Sequence, residues 1–243
     1  MGGRALTARD SAHDSSEVEA LLSSVERQAR LPDRVEYLSR AFLARPYAVN
    51  PLGGGPDLEE TLTASLDAFD CVTYIESVLA LALARDAGEF RDILKRVRYE
   101  DGEVAWHKRN HYMSGWATNN VSAGFVRDVT AGPFAEQVTR RLSVVEGLPP
   151  REVSFHLYRK RRLSSVAARI ETGDLILFAS AKRNLDFFHT GLLVEGGGEI
   201  MLRHAARSEG SVIEQPLADF LTRFRMSGFA LLRPADYNES KQD

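Results

Sequence analysis

Cysteine is almost absent from this sequence, in which Cys71 is the only one among 243 residues. A single cysteine excludes an intramolecular disulfide and any zinc site built from several thiolates. Two interpretations of Cys71 remain, a small buried hydrophobic residue or a reactive thiol.

The sequence also lacks an excess of positive charge, because 31 Lys and Arg residues stand against 34 Asp and Glu residues, a formal net charge of −3. Proteins that bind nucleic-acid duplexes usually carry a basic excess, so we expect no nucleic-acid partner. The one basic run, 159–162, is interpreted as a solvated loop, since blocks of like charge usually face solvent.

Long hydrophobic runs are missing too. No apolar stretch approaches the roughly 18 residues that a membrane helix needs, so we expect no transmembrane segment. The first fifteen residues are polar and have no apolar centre of the kind that marks a signal peptide. The sequence shows no export signal, which fits a cytoplasmic location if the chain is complete.

Hydrophobic residues make up 44% and charged residues 27% of the chain, which is typical of a globular protein with a packed core. Apolar residues in the first part recur at helical spacing. They predict a helix capped by Ser15 or Ser16, a second starting at Pro32, a strongly apolar helix over 71–87, and a shorter one over 89–97.

Strand-length apolar runs dominate the later part of the chain. They cover residues 174–178, 190–194, 200–202 and 228–232. Residues 62–69 alternate apolar and polar side chains and predict an earlier strand or extended arm. Helices first and strands after favour an α+β fold in which helices pack against an antiparallel sheet.

Cys71 lies where the extended segment ends and the apolar helix begins. The free amides and the dipole of a helix's first turn favour an anion, so this position is expected to lower the thiol pKa from its usual value of about 8.5. The same amides can stabilise the oxyanion that forms when a thiolate attacks a carbonyl. The position therefore favours a nucleophile over a packing residue.

Two histidines are brought together by a predicted hairpin with Gly197 at the centre of its turn. In that register His189 faces residue 205, one place from His204, and opposed residues have Cβ atoms about 4.5–5.5 Å apart. One imidazole could take the thiol proton while the other orients it. Spacing alone leaves a structural or surface role open for both.

Several motifs resemble those of one family. Phe69-Asp70-Cys71 opens the apolar helix, Gly173-Asp174 precedes an apolar strand, and His189-Thr190-Gly191 opens another. This order is similar to that of the NlpC-type, papain-like cysteine amidases and peptidases.

Further motifs narrow the resemblance to one branch, the N-acetylmuramoyl-L-alanine amidase-like proteins long catalogued as a domain of unknown function. They are the block 109–112 with Trp116 and Asn120, His204-Ala205, and the closing Arg233-Pro234. The likeness runs from about Tyr47 to Pro234, most of the chain.

The resemblance implies a papain-like core, with the nucleophile helix packed on a small antiparallel sheet or barrel and extra helices at the N-terminus. It implies a single catalytic domain at 16–236, between a disordered tail at 1–15 and a polar tail at 237–243. It also implies Cys71 as nucleophile, His189 as general base and acid, and His204 as orienting residue, with no metal or other cofactor.

The same resemblance implies a muropeptide-binding site. Tyr47 could help to stabilise the oxyanion, and the segment 106–112 offers guanidinium and aromatic groups that suit carboxylates and a sugar ring. Structural packing is the alternative for this segment; His107 and His111 are spaced for zinc, but the glutamate of the zinc-protease signature is missing. The candidate substrate-binding residues are Tyr47, Asp70, Arg109, Asn110, His111, Tyr112, Trp116 and Asn120.

The implied activity is hydrolysis of the amide bond between N-acetylmuramic acid and L-alanine in peptidoglycan fragments. Members of the family usually act outside the cytoplasm, which implies a periplasmic or extracellular location. Three alternatives stay open: a D-glutamate–diaminopimelate endopeptidase of the same fold, a non-catalytic cell-wall peptide binder with an inert thiol, and a zinc amidase with Cys71, His189 and His204 as ligands.

Overall fold

The computed structural model describes residues 8–25 and 29–236. Helices predominate in the first half of the chain and strands in the second, as the sequence predicts. The helices are α1 (Ala8–Ser24), α2 (Leu31–Ala41), α3 (Cys71–Leu83), α4 (Ala87–Arg98), α5 (Met113–Ser122), α6 (Leu163–Val166) and α7 (Leu217–Arg223).

Eight strands form one antiparallel sheet in the order β2-β3-β8-β4-β5-β6-β7, with β1 paired to β8. The α+β class and the antiparallel sheet are confirmed. The strands are β1 (Val126–Asp128), β2 (Ala135–Leu142), β3 (Arg151–Tyr158), β4 (Leu175–Ala179), β5 (Phe187–Gly196), β6 (Glu199–Ala206), β7 (Ser211–Pro216) and β8 (Gly228–Pro234).

The sheet separates two hydrophobic clusters, because successive side chains of a strand point to opposite faces. One face packs against α1 to α4 through residues such as Leu175, Leu177 and Leu192. The other face packs against α7, where Phe178 and Leu202 meet Phe220. The helix bearing Cys71 therefore covers one face of the sheet.

Helix α3 runs through the core, since every residue from Thr73 to Leu83 is buried. It ends four residues earlier than the predicted limit, Ala87, because Asp86 caps the next helix by accepting a hydrogen bond from the Glu89 amide at 2.8 Å. Among the described helices none is long and apolar enough to cross a membrane.

The first helix differs from its prediction. It starts at Ala8, so Ser15 and Ser16 lie inside the helix rather than at its cap. Residues 1–7 and the predicted tail at 237–243 lie outside the described residues. The segment 62–69 is extended, as predicted, and Phe69 pairs with Tyr47 in an isolated parallel bridge.

Candidate active site

Cys71 is the first residue of α3, and Asp70 caps that helix. The Asp70 carboxylate accepts hydrogen bonds from the amides of Val72 and Thr73 at 3.1 and 2.8 Å, and the Thr73 hydroxyl accepts one from the Asp70 amide at 3.0 Å. This reciprocal capping box fixes where the helix starts. It thereby fixes the thiol at the mouth of the helix.

The Cys71 thiol does not have the lowered pKa that the sequence predicted. Cys71 is partly exposed as a residue, yet the surrounding protein desolvates its sulfur, and this burial together with the negative charge of Asp70 raises the pKa of Cys71 to about 12. The amides of Thr190, Cys71 and Val72 act in the opposite direction. Desolvation outweighs the helix start, so the resting thiol is protonated.

The Asp70 charge gives a direct test of this balance. In the variant Asp70→Asn an amide oxygen can still cap α3, but the charge that disfavours the thiolate is gone. We expect the variant to react several-fold faster with iodoacetamide at pH 8, with a lower thiol pKa in a pH titration of the alkylation rate. Asp86→Asn, which changes the cap of α4, is the matched control. An unchanged alkylation rate in Asp70→Asn would contradict the role of this charge.

His189 and His204 lie together, as predicted, but in a different register. The hairpin turn holds two residues, Gly197 and Gly198, both at positive φ, and Gly196 pairs with Glu199. Extending this register places His189 opposite residue 206, so His204 is its diagonal neighbour. The single-residue turn centre assumed from the sequence was wrong by one place, and the two histidines meet because the observed register puts both on one face.

The two imidazoles are hydrogen-bonded directly, with His189 Nε2 2.6 Å from His204 Nδ1. Gly191 permits this approach, because a Cβ at that position would lie 2.9 Å from the Cβ of His204. The His189 ring also stacks against Phe178 and Phe220, with ring centroids 6.0 and 5.4 Å apart. Burial lowers the pKa of His189 to about 3 and that of His204 to about 4, so both rings are neutral near pH 7.

Thr190 links the nucleophile candidate to the histidine pair along the chain. Its amide acts against the rise in the Cys71 pKa, and Thr190 follows His189 directly in β5. In the part of the chain that the structure describes, no hydrogen bond joins the Cys71 sulfur to either imidazole. Nor do three His, Cys, Asp or Glu side chains within residues 8–25 and 29–236 converge as a metal-binding group, so Cys71, His189 and His204 do not form the alternative zinc set.

Tyr47 is a neighbour of the thiol. Burial raises the pKa of Tyr47, and the negative charges of the Cys71 thiolate and Asp70 raise it further, while Arg207 lowers it. The backbone of Tyr47 is held by the bridge to Phe69, two residues before Cys71. The oxyanion role of the phenol hydroxyl stays a prediction.

A cavity of about 390 Å³ opens beside the histidine pair. Its walls combine aromatic rings with one cation, a combination that suits a ligand with both apolar and anionic parts. Six of the residues that line it are Phe188, His189, His204, Arg207, Phe220 and Phe224.

The predicted substrate block lines a different cavity, of about 440 Å³, whose walls include neither Cys71 nor the two histidines. Arg109 ion-pairs with Glu60 at 3.3 Å and donates to the Gly53 carbonyl, while His111 Nε2 bonds to the Trp106 carbonyl at 2.7 Å. The side-chain amides of Asn110 and Asn119 are hydrogen-bonded to each other at 2.7 Å. The structure therefore brings Arg109, Asn110, His111 and Tyr112 to one cavity but not to the candidate nucleophile.

Three predicted substrate-binding residues are structural by their position. Trp116 and Asn120 are both 0% exposed and Tyr112 is 2% exposed. Trp116 Nε1 donates to Glu76, Asn120 bonds to two main-chain carbonyls, and the Tyr112 hydroxyl accepts from the amides of Val144 and Val145. Asp70 likewise uses its carboxylate for the helix cap. Trp116 and Asn120 are buried and hydrogen-bonded within the protein, and substrate contact by them stays a prediction.

Sequence reasoning missed several groups around the histidines. Gln215 bonds to the second ring nitrogen of His204 at 2.7 Å, and Phe220 packs on both imidazoles. Neither residue belongs to a recognisable motif. His204 pairs with Ile213 of β7, and Gln215 lies two residues further along the same strand, on the same face. Only this alternation of faces could have indicated Gln215 from the sequence.

The fold is an α+β scaffold that carries a thiol at the start of α3 and a hydrogen-bonded histidine pair on its sheet, features compatible with an amidase-like protein. The family follows from the sequence match itself. Residues 37–228 match the model of the AmiA-like family, described as N-acetylmuramoyl-L-alanine amidase-like, and the chain belongs to that family. The recognition made from the motifs is confirmed.

Solved structures are similar over nearly the whole chain. A protein from Legionella pneumophila assigned to the DUF1460 family is 20% identical over 95% of this chain and 97% of its own, with a TM-score of 0.84. An N-acetylmuramoyl-L-alanine amidase from Bacteroides uniformis is 25% identical over 85% of this chain and 100% of its own, with a TM-score of 0.77. No protein of curated function matches the chain. The family and its neighbours support amidase-type chemistry on peptidoglycan.

Proposed function

We propose that this protein is a cysteine-dependent amidase that hydrolyses the bond between N-acetylmuramic acid and L-alanine in peptidoglycan fragments. The observation that carries the proposal is a thiol at a helix start whose pKa responds to the Thr190 amide, next in sequence to a histidine that is hydrogen-bonded to a second histidine. The family of the chain supplies the substrate class.

The protonation states at rest favour general-base catalysis over a preformed ion pair. A protonated Cys71 and a neutral His189 both follow from burial. As the sulfur attacks the lactyl carbonyl carbon, its proton passes to His189 Nδ1, because Nε2 is already bonded to His204. The carbonyl oxygen becomes an oxyanion, for which the Cys71 amide and the Tyr47 hydroxyl are the proposed donors.

Collapse of this intermediate breaks the C–N bond. His189 returns the proton to the L-alanine nitrogen, so the peptide leaves as a neutral amine and the muramoyl group stays on Cys71 as a thioester. A water molecule then attacks the thioester carbonyl, with His189 again taking a proton and passing it to the departing sulfur. The products are a muramic acid carboxylate and a free peptide, and the thiol is restored.

Mass spectrometry of a single digest tests the proposed bond. With N-acetylmuramoyl-L-alanyl-D-glutamyl-diaminopimelate as substrate, we expect free N-acetylmuramic acid and the intact tripeptide. Release of diaminopimelate alone would instead show cleavage at the D-glutamate bond and contradict the assignment. Binding measured by calorimetry without any product would identify a non-catalytic binder.

A further inference from the structure

The second ring nitrogen of His204 is not free. The side-chain nitrogen Nε2 of Gln215 lies 2.7 Å from His204 Nε2, and a half turn of the amide brings its oxygen to the same position. Gln215 belongs to β7 and pairs with Leu202, while His204 pairs with Ile213, so the two side chains are diagonal neighbours on one face of the sheet. Three side chains from three adjacent strands thus form one chain of hydrogen bonds, His189–His204–Gln215.

We propose that Gln215 is a positioning residue that sets which nitrogen of His189 carries the proton, an inference that rests on the proposed amidase function. Gln215 is not among the residues that line the cavity beside the histidines. It acts through His204, whose Nδ1 contacts His189.

The argument depends on the direction of the two hydrogen bonds. Each bond holds a single hydrogen, and a neutral imidazole has one donor and one acceptor nitrogen. If the Gln215 oxygen accepts from His204 Nε2–H, then His204 Nδ1 accepts from His189 Nε2–H, and His189 Nδ1 keeps its lone pair. If the Gln215 nitrogen donates instead, every bond reverses and His189 Nδ1 carries a hydrogen.

Only the first direction lets His189 act as a base. Its Nδ1 can then take the Cys71 proton while Nε2–H continues to donate to His204, so the chain of bonds is unchanged before and after transfer. A half turn of the amide exchanges oxygen and nitrogen at the same position, so glutamine can satisfy His204 in either direction. A side chain that can only accept would hold the pair in the base-competent direction.

Several charged residues near His189 and His204 also affect how the activity depends on pH. Glu209 raises the pKa of His204, although burial outweighs it. Glu209 itself pairs with Arg223 of α7 at 3.6 Å, and Arg207 lines the cavity beside both imidazoles. None of these groups changes in a substitution at Gln215.

Two substitutions at Gln215 separate the tautomer role from a structural one. In Gln215→Leu we expect kcat to fall by at least about tenfold with little change in KM, because the wrong tautomer of the base becomes populated. In Gln215→Glu we expect most of kcat to return, because a carboxylate accepts from His204 Nε2–H. The carboxylate also stabilises the imidazolium, so the acidic limb of the kcat/KM profile should move to higher pH. Gln137→Leu, at an exposed position of β2, is the matched control and should match wild type.

A measurement without turnover keeps this inference separate from the proposed function. Long-range ¹H–¹⁵N spectra report the tautomer of each imidazole, with His204→Asn used to assign the signals. We expect Gln215→Glu to show Nε2–H on both His189 and His204, and Gln215→Leu to show a changed mixture. Unchanged tautomers in both variants, or a wild-type kcat in Gln215→Leu, would overturn the role of Gln215. A wild-type enzyme that cleaves no muropeptide would refute the proposed function alone, since the spectra still decide the tautomer.

Discussion

Replacement of Cys71 by alanine should reduce muropeptide hydrolysis by more than about a thousandfold, because removal of a nucleophile abolishes the covalent route and leaves only binding and oxyanion stabilisation. The thermal midpoint should change little, since the sulfur lies at the partly exposed start of α3 and not in its buried middle. The rate of product release, measured by chromatography with the variant and wild type side by side, is the test.

The single cysteine makes a chemical control unusually clean. One equivalent of iodoacetamide can modify only Cys71, so alkylated wild type should lose activity in proportion to the labelled fraction. A high pKa predicts that this labelling is slow at neutral pH and fast above it. Turnover that persists in Cys71→Ala or in fully alkylated protein would refute the thiol mechanism.

Replacement of Arg98 by leucine should lower the free energy of unfolding by about 3–5 kcal/mol, because it leaves the Glu76 carboxylate buried without its counter-charge. The two side chains are 2% and 1% exposed and their charged atoms lie 2.7 Å apart. Glu76 also accepts from Trp116 Nε1, so this one carboxylate joins α3, α4 and α5. Chemical denaturation followed by circular dichroism measures the loss.

Two controls show whether burial is the cause. In Arg30→Leu the same substitution removes a surface pair whose side chains are 81% and 49% exposed, and it should cost less than about 1 kcal/mol. In the double variant Glu76→Leu with Arg98→Leu no charge is left buried, and stability should recover in part. A double variant as unstable as the sum of the two single variants would contradict an interaction between Glu76 and Arg98.

The parts of the fold that the sequence predicted are those that bury a continuous apolar face. Helix α3 and strands β4, β5, β6 and β8 all have such faces. Strands β2 and β3 were missed because most of their residues are exposed or half-buried and several are charged, as in Arg140-Arg141. Their pairing depends on main-chain hydrogen bonds with each other, which no hydrophobic pattern records.

The sequence predicted which residues form the candidate site better than it predicted their protonation states. The positions of Cys71, His189 and His204 followed from local patterns and from the family's motifs. The thiol pKa did not, because burial in the folded protein raises it and the local sequence pattern does not record burial of the sulfur. The family's motifs also contain Trp116, whose indole donates a hydrogen bond to Glu76 of α3. Membership of a motif therefore did not distinguish this buried residue from residues that could contact a substrate.

The protonated resting thiol has a consequence for the durability of the protein. Peroxides and disulfides react with the thiolate form of cysteine, and the thiol form is comparatively inert. Because burial raises the pKa of this sulfur to about 12, we expect peroxide to oxidise it slowly near neutral pH. Such a protein could keep its only cysteine reduced in surroundings that offer no thiol buffer, without a partner to repair it.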